Sequence, residues 1–283
     1  MKLACLMPLT VENIVTARKL GYDALEARLG WRNQPLMAQA EADLPALCEA
    51  LAQHKIGVTA VAIYGGTIEA PLEEAVAYWE RAMALARQVG CSVVAGMTGR
   101  DNSRSVEDNL PAFQAHFARL AHSAEERGMR IALEPWPGTV TGHGPYRWAN
   151  LATTPELWAR LFEAVPSPAL GLEYDASHLV WQGIDPLQAI RDFGKRIHHV
   201  HAKDILIDDA LLRRVGVHGR DWWRFVIPGL GQINWTEIFA ALKEAGYRGD
   251  LAVEHEDRGY LERRWNEGLT IALKTLRPLV DAY

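Results

Sequence analysis

One junction recurs along the 283-residue chain: an amphipathic run, a glycine, then a short apolar stretch. It stands at Gly21, Gly57, Gly90, Gly128, Gly194 and Gly246. A glycine just past a helix takes the left-handed closing conformation without steric cost, so each marks a helix giving way to a strand. A junction repeated this often predicts a repeating strand–helix unit. Filling in the strands gives 3–8, 22–28, 57–63, 91–97, 129–135, 169–175, 197–203 and 250–255. Thr154-Pro155, Asp185-Pro186-Leu187-Gln188 and Asn234-Trp235-Thr236-Glu237 signal helix starts, each with a side chain suited to cap free backbone N–H groups. Near-continuous apolar strands alternating with helices mean a parallel sheet covered on both faces. The number of units favours closure into an α/β, (β/α)8 barrel. No strand is followed by the Gly-x-Gly-x-x-Gly turn of a dinucleotide-binding fold. No linker or low-complexity segment divides the chain, so 1–283 reads as a single domain.

Composition narrows the class. A hydrophobic content of 49% with 23% charged residues fits a globular protein with a large core. The formal net charge of -5 argues against nucleic acid, which wants a basic surface. Cys5, Cys48 and Cys91 are widely spaced, suggesting neither a metal motif nor a disulfide framework, and read as reduced thiols. No apolar run has the length of a signal segment before Cys5 or of a bilayer span elsewhere, so the cytoplasm is the expected compartment.

Four of the strands end in metal-binding residue types: Ile131-Ala132-Leu133-Glu134, Gly171-Leu172-Glu173-Tyr174-Asp175, His198-His199-Val200-His201 and Leu251-Ala252-Val253-Glu254. The C-terminal ends of parallel barrel strands converge at one mouth, where active sites of this architecture sit. Alternation along a strand puts His199, His201 and Lys203 on one face and His198, Val200 and Ala202 on the other. Glu134, Asp175 and Glu254 gathered there would repel one another without a cation, and isolated buried carboxylates are costly. With His201 they make three oxygen donors and one nitrogen. Mn²⁺ is the expected ion, with Mg²⁺, Co²⁺, Zn²⁺ or Fe²⁺ as alternatives. The competing structural reading pairs the carboxylates with Arg28, Lys203 or Arg224. Two long connections, 136–153 and 204–233, follow strand ends and are rich in Gly, Trp, His and Arg, as substrate-contacting loops of a barrel are.

These segments resemble the xylose isomerase-like TIM barrel superfamily, in particular its branch of sugar phosphate isomerases and epimerases. The resemblance covers nearly the whole chain. It is carried by Leu133-Glu134-Pro135-Trp136-Pro137-Gly138, by Leu172 to Pro186 with Asp175 and His178, by Ile197 to Asp204, by Pro228-Gly229-Leu230-Gly231 to Trp235, and by Val253 to Asp257. In ketose epimerases of that superfamily the residues matching Glu134 and Glu254 serve as metal ligands and as acid/base groups. Asp175 and His201 match the remaining ligands, and His178 matches a histidine that approaches the substrate carbonyl or hydroxyl. Arg224, with Arg220 as alternative, matches an arginine that contacts substrate. The resemblance therefore implies a metal-dependent isomerase or epimerase working through an enediolate on a small keto-sugar or derivative. The alternative is a lyase like inosose dehydratase or the β-eliminases of 3-keto-glycosides. Endonuclease IV shares the fold, but its additional histidines have no counterpart at Ile63-Tyr64-Gly65 or Gly96-Met97-Thr98.

Several further residues are candidates. Lys203 could hold a substrate oxygen or form an ion pair. Glu26 ends a strand on the inward face and is a candidate substrate contact. Trp136 and the pair Trp222-Trp223 suit stacking on a sugar or plain packing. His143 is a candidate lid residue, while Glu256 and Asp257 read as capping or solvated groups. The expected partner is a small carbohydrate, with no nucleic acid and no membrane; a homo-oligomer is left open.

Overall fold

The computed structural model describes residues 1–32, 34–138 and 149–283. In chain order the strands are β1 (Leu3–Pro8), β2 (Ala24–Arg28), β3 (Gly57–Gly66), β4 (Val93–Met97), β5 (Arg130–Leu133), β6 (Leu170–Asp175), β7 (Ile197–Ala202), β8 (Asp204–Ile207), β9 (Trp223–Val226) and β10 (Leu251–Val253). β1 to β7 and β10 pair in parallel and close into an eight-stranded barrel in the order β1-β10-β7-β6-β5-β4-β3-β2. All eight barrel strands were legible in the sequence. The hairpin β8–β9 was not: it lies within 204–233, which reads as a loop, and pairs antiparallel from Asp204↔Val226 to Ile207↔Trp223.

The capping signals hold. Thr154 accepts from Leu157 N, Asp185 from Leu187 N and Gln188 N, and Asn234 from Glu237 N. The glycine rule holds at Gly21, Gly90, Gly128 and Gly246, all at positive φ. It needs correction at two junctions. Before β3 the left-handed closing residue is Lys55 (φ 53), and Gly57 is already strand. Gly194 is right-handed (φ -54); a Cβ there would lie 2.4 Å from Ala245 Cβ, so close helix approach explains it.

Inward-facing side chains form levels along the barrel. Ala4, Ala24 and Ala252 make a small apolar layer near the strands' N-terminal ends. Glu26, Glu173 and His199 stand above it, and Asp175, His201 and Lys203 higher still. The register sets Glu173 beside His199 and Asp175 beside His201. Cys5 and Cys91 are buried free thiols, and Cys48 is free and half-buried. Among the described residues no helix is long and apolar enough to cross a membrane.

Candidate active site

The upper level is a carboxylate cage. Glu134 follows β5, its N–H bonded to Gly96 O at 2.9 Å. Asp175 ends β6 and caps the short helix Ala176–Val180: its Oδ1 accepts from Ser177 N (2.8 Å) and Ser177 Oγ (2.7 Å), leaving Oδ2 to the cage. That helix brings His178 round, with Nε2 3.4 Å from Glu134 Oε1 and 3.5 Å from Asp175 Oδ2. Glu254 follows β10. Lys203, just past β7 and 1% exposed, reaches Glu254 Oε2 at 2.5 Å, His178 Nε2 at 3.1 Å, and Asp175 Oδ2 and Glu256 Oε2 at 3.2 Å. Phe225 of β9 roofs the cage, with Lys203 Nζ 4.6 Å above its ring and the His178 ring perpendicular to it at 5.3 Å.

The Pro228-Gly-Leu-Gly231 turn helps fix that roof. Asp204 accepts from Ile205 N, Gly229 N, Ile233 N and Trp235 Nε1, gathering the turn around one carboxylate. A Cβ on Gly231 would lie 2.1 Å from Asp204 Oδ1, so a glycine is required there.

Below the cage lies a second, closed layer, joined to it by His201. Its Nε2 is 2.8 Å from Glu26 Oε2, 3.1 Å from the Tyr64 hydroxyl and 3.4 Å from Glu173 Oε1. The Tyr64 hydroxyl also lies 2.8 Å from Glu26 Oε1 and 2.7 Å from Glu173 Oε2. One hydroxyl proton serves one of these carboxyls, so the other contact needs a proton on a carboxyl. His199 completes the layer, with Nδ1 3.0 Å from Glu173 Oε1 and Nε2 3.1 Å from Thr59 Oγ1.

Electrostatics assigns that proton. Burial, then the Glu26 charge, raises Glu173 well above the usual carboxylate range, so of the two carboxyls Glu173 takes up a proton more readily. Burial also pushes Glu26 up, but His201, His199 and the bonds from His201 and Tyr64 outweigh it and bring it down to about 2. In the cage, burial and then Glu254 raise Glu134. Glu254 feels the same burial, yet Lys203 and His201 hold it well below the usual range. Burial opposes charge on Lys203 and His201, but the surrounding carboxylates keep both raised.

The cage suits a divalent cation. Glu134, Asp175, His178 and Glu254 offer donor atoms all within 4.8 Å of one another, and all four residues are buried. Asp175 Oδ2 and His201 Nδ1 are buried and face charged groups of the cage rather than backbone: Asp175 Oδ2 lies 3.2 Å from the Lys203 ammonium, which holds the carboxylates together as a cation would. His201 Nδ1 stands 3.1 Å from Glu254 Oε2 and 3.9 Å from Glu134 Oε1. Adjacent ligands of an octahedral ion with bonds of about 2.1 Å lie about 3 Å apart, so the His201–Glu254 spacing fits shared coordination as well as it fits a hydrogen bond, and the Glu134 spacing is longer. The lower group, Glu26, Glu173, His199 and His201, also meets the distance condition, but its atoms are committed to one another.

Glu134, Asp175, Glu254, His178 and Lys203 thus meet at the mouth as the strand ends foretell. His201 adjoins them through Nδ1, while His178 stands among the mutually close donors. Glu26, read as a substrate contact, is instead fully buried against His201. Arg224 lies on the hairpin with its side chain 62% exposed, 3.6 Å from Asp257 Oδ1. Trp136 borders the cage opening. Trp222 is buried, whereas Trp223 stacks on Trp181 at 5.0 Å. Asp257 caps as expected, accepting from Gly259 N, but Glu256 turns to Lys203. His143 lies outside the described residues. Tyr64 was missed; its inward position on β3 was the signal that could have found it.

Comparison with known proteins agrees with this architecture. A family profile described as xylose isomerase-like TIM barrel matches residues 14–279. An inosose dehydratase of Geobacillus thermodenitrificans is 34% identical over 144 residues, covering 49% of this chain and 44% of that protein. The chain therefore spans about half the length of the curated relatives it matches. Among solved structures, the zinc-binding IOLI protein superposes with a TM-score of 0.75 at 23% identity, covering 100% of this chain and 99% of the other. D-psicose 3-epimerase of Clostridium cellulolyticum, crystallised with D-tagatose, gives 0.74 at 17% identity, covering 99% of each chain. At those identities the structures speak for the fold, and the profile match over most of the chain places it in the xylose isomerase-like TIM barrel family.

Proposed function

We propose that the protein is a metal-dependent isomerase or epimerase that moves a proton at the carbon beside the carbonyl of a small keto-sugar or related keto-polyol. The observation that carries this reading is the geometry of the cage: Glu134 and Glu254 stand with Asp175 and His178 so that one donor atom of each lies within 4.8 Å of the others, beside the buried Lys203. Two carboxylates placed around one ion site can remove and return a proton at the same substrate. Glu134, Asp175, His201 and Glu254 would hold one divalent ion, Mn²⁺ first, with His178 as the nearby imidazole. When bound, the ion supplies Lewis-acid stabilisation for negative charge developing on a substrate oxygen.

The chain's own groups do the rest. One of the two glutamates removes the proton next to the carbonyl; the other returns one to the opposite face or to the adjacent carbon. Lys203 and His178 donate to substrate oxygens from the cage wall, and the Phe225 roof keeps water from the reacting carbon. A second reading, loss of a β-hydroxyl as water, is supported by the buried Lys203 ammonium beside Glu254, an acid placed to protonate a departing hydroxide. The inosose dehydratase names among partial relatives support the same reading.

Turnover of keto-sugars and inososes in D₂O, followed by NMR, tests both. Proton transfer places solvent deuterium at the carbon beside the carbonyl, with mass otherwise conserved for an epimerase or isomerase and an unsaturated product for a dehydratase. Full retention of a substrate C–D label with no solvent incorporation would contradict both.

A further inference from the structure

The end of the barrel opposite the cage carries charge of the other sign. The chain has a formal net charge of -5. Yet a cavity of about 360 Å³ at the starts of β5, β7 and β10 is lined by Arg130, Lys195 and Arg248 and by no carboxylate. Small-molecule sites occupy roughly 300–1,000 Å³, so the space is of ligand size. No residue of the cage borders it. The loops that contain 33 and 139–148 leave from strand ends, whereas this cavity opens at strand starts.

The three cations are exposed and carry little else. Among the described residues the Arg130 and Lys195 side chains make no hydrogen bond or ion pair, and Arg248 makes one bond, to Tyr247 O at 3.3 Å. Helix C-termini favour nearby cations, which accounts for Lys195 in the turn that ends the helix Pro186–Phe193. That effect fades within a turn, and Arg130 starts a strand while Arg248 stands in the loop before β10. Asp250, the nearest carboxylate along the chain from Arg248, is outside the lining and accepts from Lys2 N at 2.6 Å.

The wall behind the cations is built. Pairing of β6 with β7 slips from Leu172↔Ile197 to Glu173↔His199, and His198 is the residue left over. Such a bulge re-aims a side chain. The His198 ring fills the place of a side chain at Gly171, where a Cβ would lie 2.6 Å from it, and it lines the cavity while only 5% exposed. Its Nδ1 donates to Ile131 O at 3.0 Å. Burial, helped by Arg130 and Arg196, brings its pKa down to about 4 against that bond. The ring is therefore neutral at pH 7, and Nε2 is an acceptor. Across the cavity the buried Tyr247 donates its hydroxyl to Asp250 O at 2.6 Å. A Cβ on Gly249 would lie 2.3 Å from that hydroxyl, so the loop carrying Arg248 is pinned.

We infer that this cavity is a second ligand site, for a phosphate group, either free phosphate or the phosphate of a small monoester. Two guanidinium forks and an ammonium match phosphate oxygens, and three cations with no acid suit a dianion. The neutral His198 acceptor meets a hydroxyl, on the phosphate or on the esterified part. The site is independent of the reaction at the cage.

Calorimetric titration of the wild-type chain with inorganic phosphate and, separately, with glycerol 3-phosphate at fixed ionic strength tests it. At least one probe should fill a single site with a Kd below about 1 mM. Arg130→Gln and Arg248→Gln should each weaken that binding about tenfold or more, and Lys195→Gln less. Arg258→Gln, at the opposite mouth, should leave it unchanged. Unchanged melting temperatures without phosphate establish that these variants of exposed side chains fold. Tighter binding of the ester identifies an esterified ligand, and tighter binding of inorganic phosphate identifies the free ion; both support the site. No saturable binding of either probe up to about 10 mM overturns it. So does binding undiminished in Arg130→Gln and Arg248→Gln, or weakened as much in Arg258→Gln. Capture of a heparin oligosaccharide with neither probe bound marks a polyanion-docking face and overturns it too.

Discussion

The layer of Glu26, Tyr64, Glu173 and His199 and the layer of Glu134, Asp175, His178 and Glu254 use similar residue types at neighbouring depths of one barrel. They differ in what is left over. In the lower layer each carboxylate, ring nitrogen and hydroxyl has a partner within the layer or in His201 or Thr59. In the upper layer His178 Nδ1 is buried without a hydrogen-bond partner, while Asp175 Oδ2 and His201 Nδ1 meet only charged neighbours of the cage itself, Lys203 Nζ at 3.2 Å and Glu254 Oε2 at 3.1 Å. A buried polar group without a partner is costly unless something else meets it. The lower layer is thus a support, and the upper one is arranged to receive a ligand. His201 belongs to both: Glu26 holds one ring nitrogen and the other faces Glu254 Oε2 at 3.1 Å. An imidazole whose second nitrogen is fixed by a carboxylate is how metal-binding histidines are commonly oriented.

The largest effect that can break this division is on turnover. Glu134→Gln or Glu254→Gln should lower kcat by about 10²–10⁴-fold, because each removes a proton-transfer group. Glu173→Gln should keep activity within about tenfold, since an amide keeps the shape of the carboxyl and can still meet Tyr64 and His199. Steady-state kinetics on the three variants decides, and equal losses in both layers would erase the distinction.

A smaller effect concerns acid stability of the chelated protein. Glu26 is depressed from 4.5 to about 2. Its contribution is therefore fully present above about pH 4.5 and is lost as pH falls toward 2. Glu26→Gln should flatten that limb of a melting-temperature profile and leave the neutral plateau lower, and an unchanged acid limb would remove Glu26 from the lower layer's charge balance.

The sequence was most informative where a requirement is local. Strand ends at Glu134, Asp175, His201 and Glu254, the caps at Asp185 and Asn234, and the alternation that sends Lys203 inward each follow from a few adjacent residues. What was lost depends on distance in sequence. Tyr64 meets Glu173, which is 109 residues away, and Glu26 meets His201 across 175 residues, so neither partnership leaves a spacing to read. The hairpin β8–β9 escaped because its two short strands are separated by a helix, Asp209–Val215, and carry residues that also suit a binding loop. Gly57 was read as a helix end because Lys55 adopts the left-handed conformation that glycine usually supplies.

The measurement closest to the central claim is a Mn²⁺ titration by calorimetry, checked by elemental analysis, on the wild type, Asp175→Asn and Glu26→Gln. The account predicts one ion per chain in the wild type and none bound with comparable affinity in Asp175→Asn. In Glu26→Gln it predicts one ion held about 10–100-fold more weakly, because the support behind His201 is altered while the upper donors remain. Two ions per chain, undiminished binding in Asp175→Asn, or no binding by the wild type would contradict it.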